Sequence, residues 1–134
     1  MKKFQAYASV FNKLDAHNDV ILHGAYFELK SNPRKMINLP ILWQHNHDKN
    51  IGKIISIWED SIGLFIRGYI DISDRTGVDS YLKMKQGVVG VSIGYHALLC
   101  HKEKNITYIS KIELNEISIV TFPSNKNARI TFLN

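Results

Sequence analysis

The chain has 134 residues, 45% of them hydrophobic and 22% charged, with 17 basic against 12 acidic side chains and a formal net charge of +5. That length suits a single domain over residues 1–134 with a core of its own, and the composition excludes disordered and fibrous classes. Cys100 is the only cysteine, so an internal disulfide is excluded and a reducing compartment fits best.

Met1-Lys2-Lys3-Phe4 is basic but is not followed by an apolar run of signal-peptide length, and no stretch reaches the ~20 apolar residues of a membrane-spanning helix. The expectation is a soluble intracellular protein without a membrane partner. Phe4 to Phe11 reads as a strand that ends at a turn-forming cluster, Asn12 to Asp19. A helical turn is expected after Gly24, through Ala25 to Leu29. Ile37 to Trp43 is apolar around Pro40, which argues for an edge or a strand end. Ile51 to Trp58 and Gly63 to Asp71 flank Glu59-Asp60-Ser61-Ile62 and predict a hairpin. Leu64, Ile66 and Ile70 lie on one face of its second strand, with Phe65, Arg67 and Tyr69 on the other.

A helix is expected from a cap at Ser73 or Asp74, with Val78, Tyr81, Leu82 and Lys85 at helical spacing and Gly87 as its stop. Val88 to Leu99 and Ile106 to Leu114 predict a second hairpin, and Ile117 to Phe122 a further strand stopped by Pro123. The whole reads as α+β or mainly β, a largely antiparallel sheet or barrel with one clear helix. The lysines are scattered and form no arginine-rich run, so a soluble basic surface explains the charge better than a nucleic-acid site.

Three apolar runs each hold a chemically competent residue: His45 at the end of Ile41 to His45, Ser92 within Val91 to Tyr95, and Glu116 at the start of Glu116 to Val120. A hydroxyl, a base and an orienting carboxylate are the parts of nucleophilic acyl transfer. Gly90 and Gly94 bracket Ser92, where a missing Cβ would let a substrate approach and leave amides open to an oxyanion. Each residue also has a plain structural reading: a strand-surface serine, a loop histidine, a solvated carboxylate. Glu113 is as good an acid as Glu116 by this logic. His45 and His47 could ligate a metal only with a third ligand from Asp48, His17 or His23, and the spacing matches no zinc signature. No cofactor is called for. Cys100 beside His101 reads as an incidental thiol, since neighbours on a strand point to opposite faces. Asp15, His17 and Asp19 read as a polar turn.

Taken together, the stretches resemble the phage prohead proteases, the serine proteases that mature tailed-phage capsids. Ala6 to Phe11 resembles the family's opening strand, and Asp19 to Tyr26 its Gly-Asp-x-Ile-x-Pro-Gly-Ala-Phe turn. Leu42-Trp43-Gln44-His45 with Ile51 to Ile54 resembles the segment with its catalytic histidine. Tyr81 through Gly87 with Gly90 to Tyr95 resembles the nucleophile segment, and Glu116 to Asn125 the acidic strand. The resemblance implies Ser92 as nucleophile, His45 as general base and Glu116 as orienting acid, on a β-barrel ringed by helices like that of the herpesvirus assembly protease. It further implies cleavage of the scaffold segment of the major capsid protein, and of the chain itself, inside the assembling prohead in the host cytoplasm, with a homo-oligomer as a further partner state. An inactive assembly scaffold on the same fold is the rival. Asn18 stands where the family has glycine and His23 where it often has proline. The chain ends soon after Ala128-Arg129-Ile130, where many members continue in a longer tail.

Overall fold

The structure, a computed structural model, describes residues 1–134. Its strands are β1 (Lys2–Val10), β2 (Asp19–Ile21), β3 (Ile41–Trp43), β4 (Asn46–Glu59), β5 (Gly63–Ile70), β6 (Gly90–Glu103), β7 (Ile106–Val120) and β8 (Ile130–Leu133). Its helices are α1 (Glu28–Ser31), α2 (Pro33–Ile37) and α3 (Arg75–Lys85). All 8 strands belong to one sheet in the order β2-β7-β3-β4-β5-β1-β8, with β6 on the other side of β7. Val91 N donates to Ala128 O at 3.0 Å and Ile130 N to Val89 O at 2.8 Å, so the sheet curls and its two ends are joined. The mainly β architecture is the expected one, with the clear helix present as α3, α1 overlapping the helical turn expected through Ala25 to Leu29, and α2 in addition. Two pairings are parallel, however: β2 and β3 each run alongside β7.

A cluster of 25 buried residues forms the core, drawn from nearly every strand. In β5, Leu64, Ile66 and Ile70 are buried while Arg67 is exposed, as the alternation predicts. Both predicted hairpins form, β4 with β5 and β6 with β7. The expected strand over Ile117–Phe122 is the far end of β7, which runs unbroken from Ile106 to Val120.

That length hides a β-bulge. Gly94 pairs with Glu116 but Tyr95 pairs with Leu114, which leaves Asn115 as the extra residue. The bulge shifts the alternation by one. Ile112, Leu114, Ile117 and Ile119 are therefore all 0% exposed in the core although their parity changes from even to odd. Glu116 and Ser118 then share the opposite face.

Of the two expectations for Pro40, the strand end holds and the edge does not. β3 begins one residue later and lies between β7 and β4. Proline lacks only the donor, and the Pro40 carbonyl accepts from Ile117 N at 3.1 Å, tying the two strands together. Asn32 caps α2 by accepting from Lys35 N, with Pro33 at the first helical position. Asp74 caps α3 by accepting from Gly77 N at 2.8 Å, and Gly87 ends it with φ of 118°. The buried face of α3 is Gly77, Ser80 and Met84, so Val78 and Leu82 point outward. No helix is long and apolar enough to cross a membrane.

Candidate active site

His45 occupies a tight hairpin turn. Trp43 pairs with Asn46, so Gln44 and His45 are the two central residues between β3 and β4. Both have positive φ, 52° and 59°, as a type I′ turn requires. Neither is glycine or asparagine, so the turn carries a conformational cost of ~1–2 kcal/mol per residue. Its anchors are visible. Gln44 N donates to Ile119 O at 2.9 Å. The Gln44 side chain donates from Nε2 to Thr121 Oγ1 at 2.7 Å and accepts from Thr121 N at 3.1 Å. The turn is thus fastened to the end of β7 by three hydrogen bonds, and the imidazole is aimed along the same strand.

There it meets Glu116. His45 Nδ1 lies 2.5 Å from Glu116 Oε1, in an ion-pair geometry. The Glu116 side chain is 6% exposed and the His45 side chain 45%. The carboxylate is shielded while the imidazole opens to solvent. An ionised carboxylate can only accept, so Nδ1 carries the shared proton and Nε2 is left for the open side. The second carboxylate oxygen, Oε2, accepts from the hydroxyl of the fully buried Ser118.

Ser92 completes the arrangement on β6. Register sets Ser92 directly opposite Ser118 and Gly94 directly opposite Glu116, so all four share one face. Ser92 and His45 line one cleft of about 560 Å³. No hydrogen bond joins the Ser92 hydroxyl to the imidazole. The bracketing glycines prove to have local work. A Cβ on Gly94 would stand 2.6 Å from Glu116 Oε1, and one on Gly90 would stand 2.7 Å from Pro123 Cδ and from Val120 O. Their bareness makes room for the carboxylate and for the chain after β7. The amide of Val91 is given to Ala128, so it is not free for an oxyanion.

The remaining candidates lie elsewhere or play other parts. Glu113 is 3.6 Å from His96 and does not meet His45. Cys100 is exposed on the outer half of β6. No three His, Cys, Asp or Glu side chains are grouped to hold a metal ion. The polar turn Asp15, His17 and Asp19 lines the far wall of the cleft with Lys13 and Tyr95. Tyr95 OH donates to Asp19 Oδ2 at 2.9 Å, and burial, then this carboxylate, push the phenol well above the usual tyrosine range. Gln44 and Ser118 did not emerge from the sequence. The shift in apolar parity between Leu114 and Ile117 was the available signal for the bulge that aims Glu116.

The profile of the Caudovirus prohead serine protease family matches residues 1–134. The prohead protease of Enterobacteria phage HK97 is 32% identical over 134 residues, covering 95% of this chain and 58% of that protein. The chain therefore spans less than two thirds of that relative. Among solved structures, the bacteriophage T4 capsid assembly protease superposes with a TM-score of 0.65 at 10% identity, over 87% of this chain and 80% of that one. Varicella-zoster virus protease gives 0.59 at 14% identity, over 96% and 62%. These two share the fold. The match along its whole length places this chain in the Caudovirus prohead serine protease family.

Proposed function

We propose that residues 1–134 form the protease domain of a serine endopeptidase that cleaves the scaffold segment of a phage major capsid protein, and its own chain, during prohead maturation in the host cytoplasm. The observation that carries this reading is the His45–Glu116 hydrogen bond, with the free edge of the imidazole facing the cleft that Ser92 also lines. The names of the relatives, a prohead protease and a capsid assembly protease, support a capsid-protein substrate.

In the proposed reaction His45 Nε2 takes the Ser92 proton as Oγ attacks the scissile carbonyl. Glu116 holds Nδ1 and stabilises the imidazolium that forms. The tetrahedral intermediate collapses, the C–N bond breaks, and the same proton passes to the departing amine. Water then attacks the acyl-Ser92 ester, again through His45, and releases the acid. Attack needs Ser92 Oγ within ~2.6–3.2 Å of Nε2, a contact that tightens when substrate fills the cleft.

Coexpression with the cognate capsid protein, read by mass spectrometry, tests the assignment. Cleavage should stop in Ser92→Ala and in His45→Ala; cleavage that persists in both would overturn it. A serine-reactive phosphonate should label Ser92, whereas an inactive scaffold would stay unlabelled.

A further inference from the structure

We infer that Ser118 is a positioning residue of this site, holding Glu116 as an oriented anion that in turn fixes the His45 imidazole. Three observations carry it. Ser118 is 0% exposed, in a strand whose flanking residues Ile117 and Ile119 fill the core. Its hydroxyl spends its one proton on Glu116 Oε2 while His45 takes Oε1, so the carboxylate is held at both oxygens. The register puts Ser118 opposite Ser92 and Glu116 opposite Gly94, whose missing Cβ leaves the space on β6 that the carboxylate occupies.

The direction of the effect follows from charge. The working state of the pair is neutral imidazole with ionised carboxylate, carrying one net negative charge. A hydroxyl donating to that carboxylate stabilises this state more than the protonated one, in which the imidazolium already neutralises the charge. Without the hydroxyl a buried oxygen loses its donor, and the pair binds a proton more readily. The two groups are coupled, so the shift belongs to the pair. Other titratable groups facing this cleft are Lys13, Asp15 and His17 from the segment between β1 and β2, Asp19 from β2, and Tyr95 from β6. Lys83 of α3 lies over the Trp43 ring. None of these bonds to Ser118, so they act on the native chain and its variants alike.

The inference rests on the proposed roles of His45 and Glu116, and the test separates it from the assignment of Ser92. The His45 ring nitrogens are followed by NMR in ¹⁵N-histidine protein across a pH titration, in the native chain, Ser118→Ala and Ser118→Thr. Ser118→Ala should protonate about one pH unit higher and lose its fixed Nδ1–H tautomer, and Ser118→Thr should restore both. An unchanged titration and tautomer in a folded Ser118→Ala protein would overturn the inference, whatever Ser92 does. Phosphonate labelling of the same proteins gives the second readout. The acid limb of the Ser92 labelling rate should move up in Ser118→Ala by the same interval. A uniform loss of rate at every pH, with the limb unmoved, would reduce Ser118 to a packing residue. A shifted NMR titration in a protein whose Ser92 never labels would sink the nucleophile and leave the Ser118 role standing.

Discussion

Gly94 and Glu116 face each other across β6 and β7, and the carboxylate occupies the space that a side chain at position 94 would fill. A Cβ there would stand 2.6 Å from Oε1, 2.8 Å from Cγ and 3.0 Å from Cδ of Glu116. All three are side-chain atoms, so the chain can adapt by displacing the carboxylate. Gly94→Ala should therefore fold, lose about 1–3 kcal/mol of stability, and lose at least about tenfold in Ser92 labelling as the hold on His45 is broken. Thermal unfolding and labelling rates on the same protein check both halves. Gly52→Ala is the contrast. Its Cβ would meet Tyr69 O at 2.2 Å, and backbone cannot step aside as cheaply.

The turn that carries His45 makes a separate prediction. Gln44 holds φ of 52° and two side-chain hydrogen bonds to Thr121. Gln44→Ala keeps the conformational cost and loses both bonds, each worth about 1 kcal/mol. Gln44→Gly loses the same bonds but relieves the left-handed backbone, so it should be more stable than Gln44→Ala by about 1 kcal/mol. Both should label Ser92 more slowly than the native chain. Equal stability of the two variants in denaturant titrations would show that the turn is not strained.

Alkaline pH should unfold the protein partly through Tyr95. Its hydroxyl is partly buried and donates to Asp19, so the phenol titrates higher folded than unfolded. The stabilisation is complete below the unfolded value of ~10 and is lost as pH rises above it toward the folded value. Tyr95→Phe should flatten this alkaline arm without removing it. Tyr26, whose phenol is raised by burial, contributes a second share. Melting temperatures taken between about pH 8 and 11 decide this, and an unchanged slope in Tyr95→Phe would refute it.

Glu28 supports β7 beside the bulge. Its Oε1 accepts from Leu114 N at 2.9 Å and its Oε2 pairs with Lys35 at 2.6 Å. Glu28→Ala orphans a buried backbone amide, at a cost of about 1–3 kcal/mol. Hydrogen exchange should quicken at Leu114 first, and the His45–Glu116 pairing should loosen with it.

Much of the fold was legible because it rests on local pattern. The β4–β5 and β6–β7 hairpins follow from alternation, and Asp74 and Gly87 from the chemistry of helix ends. The parallel pairing of β2 and β3 with β7 was not, since it depends on segments far apart in the chain. Gln44-His45 was unreadable as a turn because it lacks the glycine or asparagine that marks one, its conformation being imposed by Thr121 and Ile119. Glu116 rather than Glu113 meets His45 because of an extra residue, Asn115, whose only sequence trace is a change of parity. The proposed histidine, serine and carboxylate were named from chemistry and family likeness. Their supports, Ser118, Gln44 and the space at Gly94, emerge only from distances.

The His45–Glu116 contact joins residues 71 apart in the chain, and that separation acts as a clock. During synthesis the imidazole is made long before its partner, and the β3–β7 pairing that brings them together cannot begin until β7 exists. Loops of that length close late in folding. The His45–Glu116 contact therefore forms with the last long-range pairings, and a chain not yet extended to β7 holds its imidazole without that carboxylate.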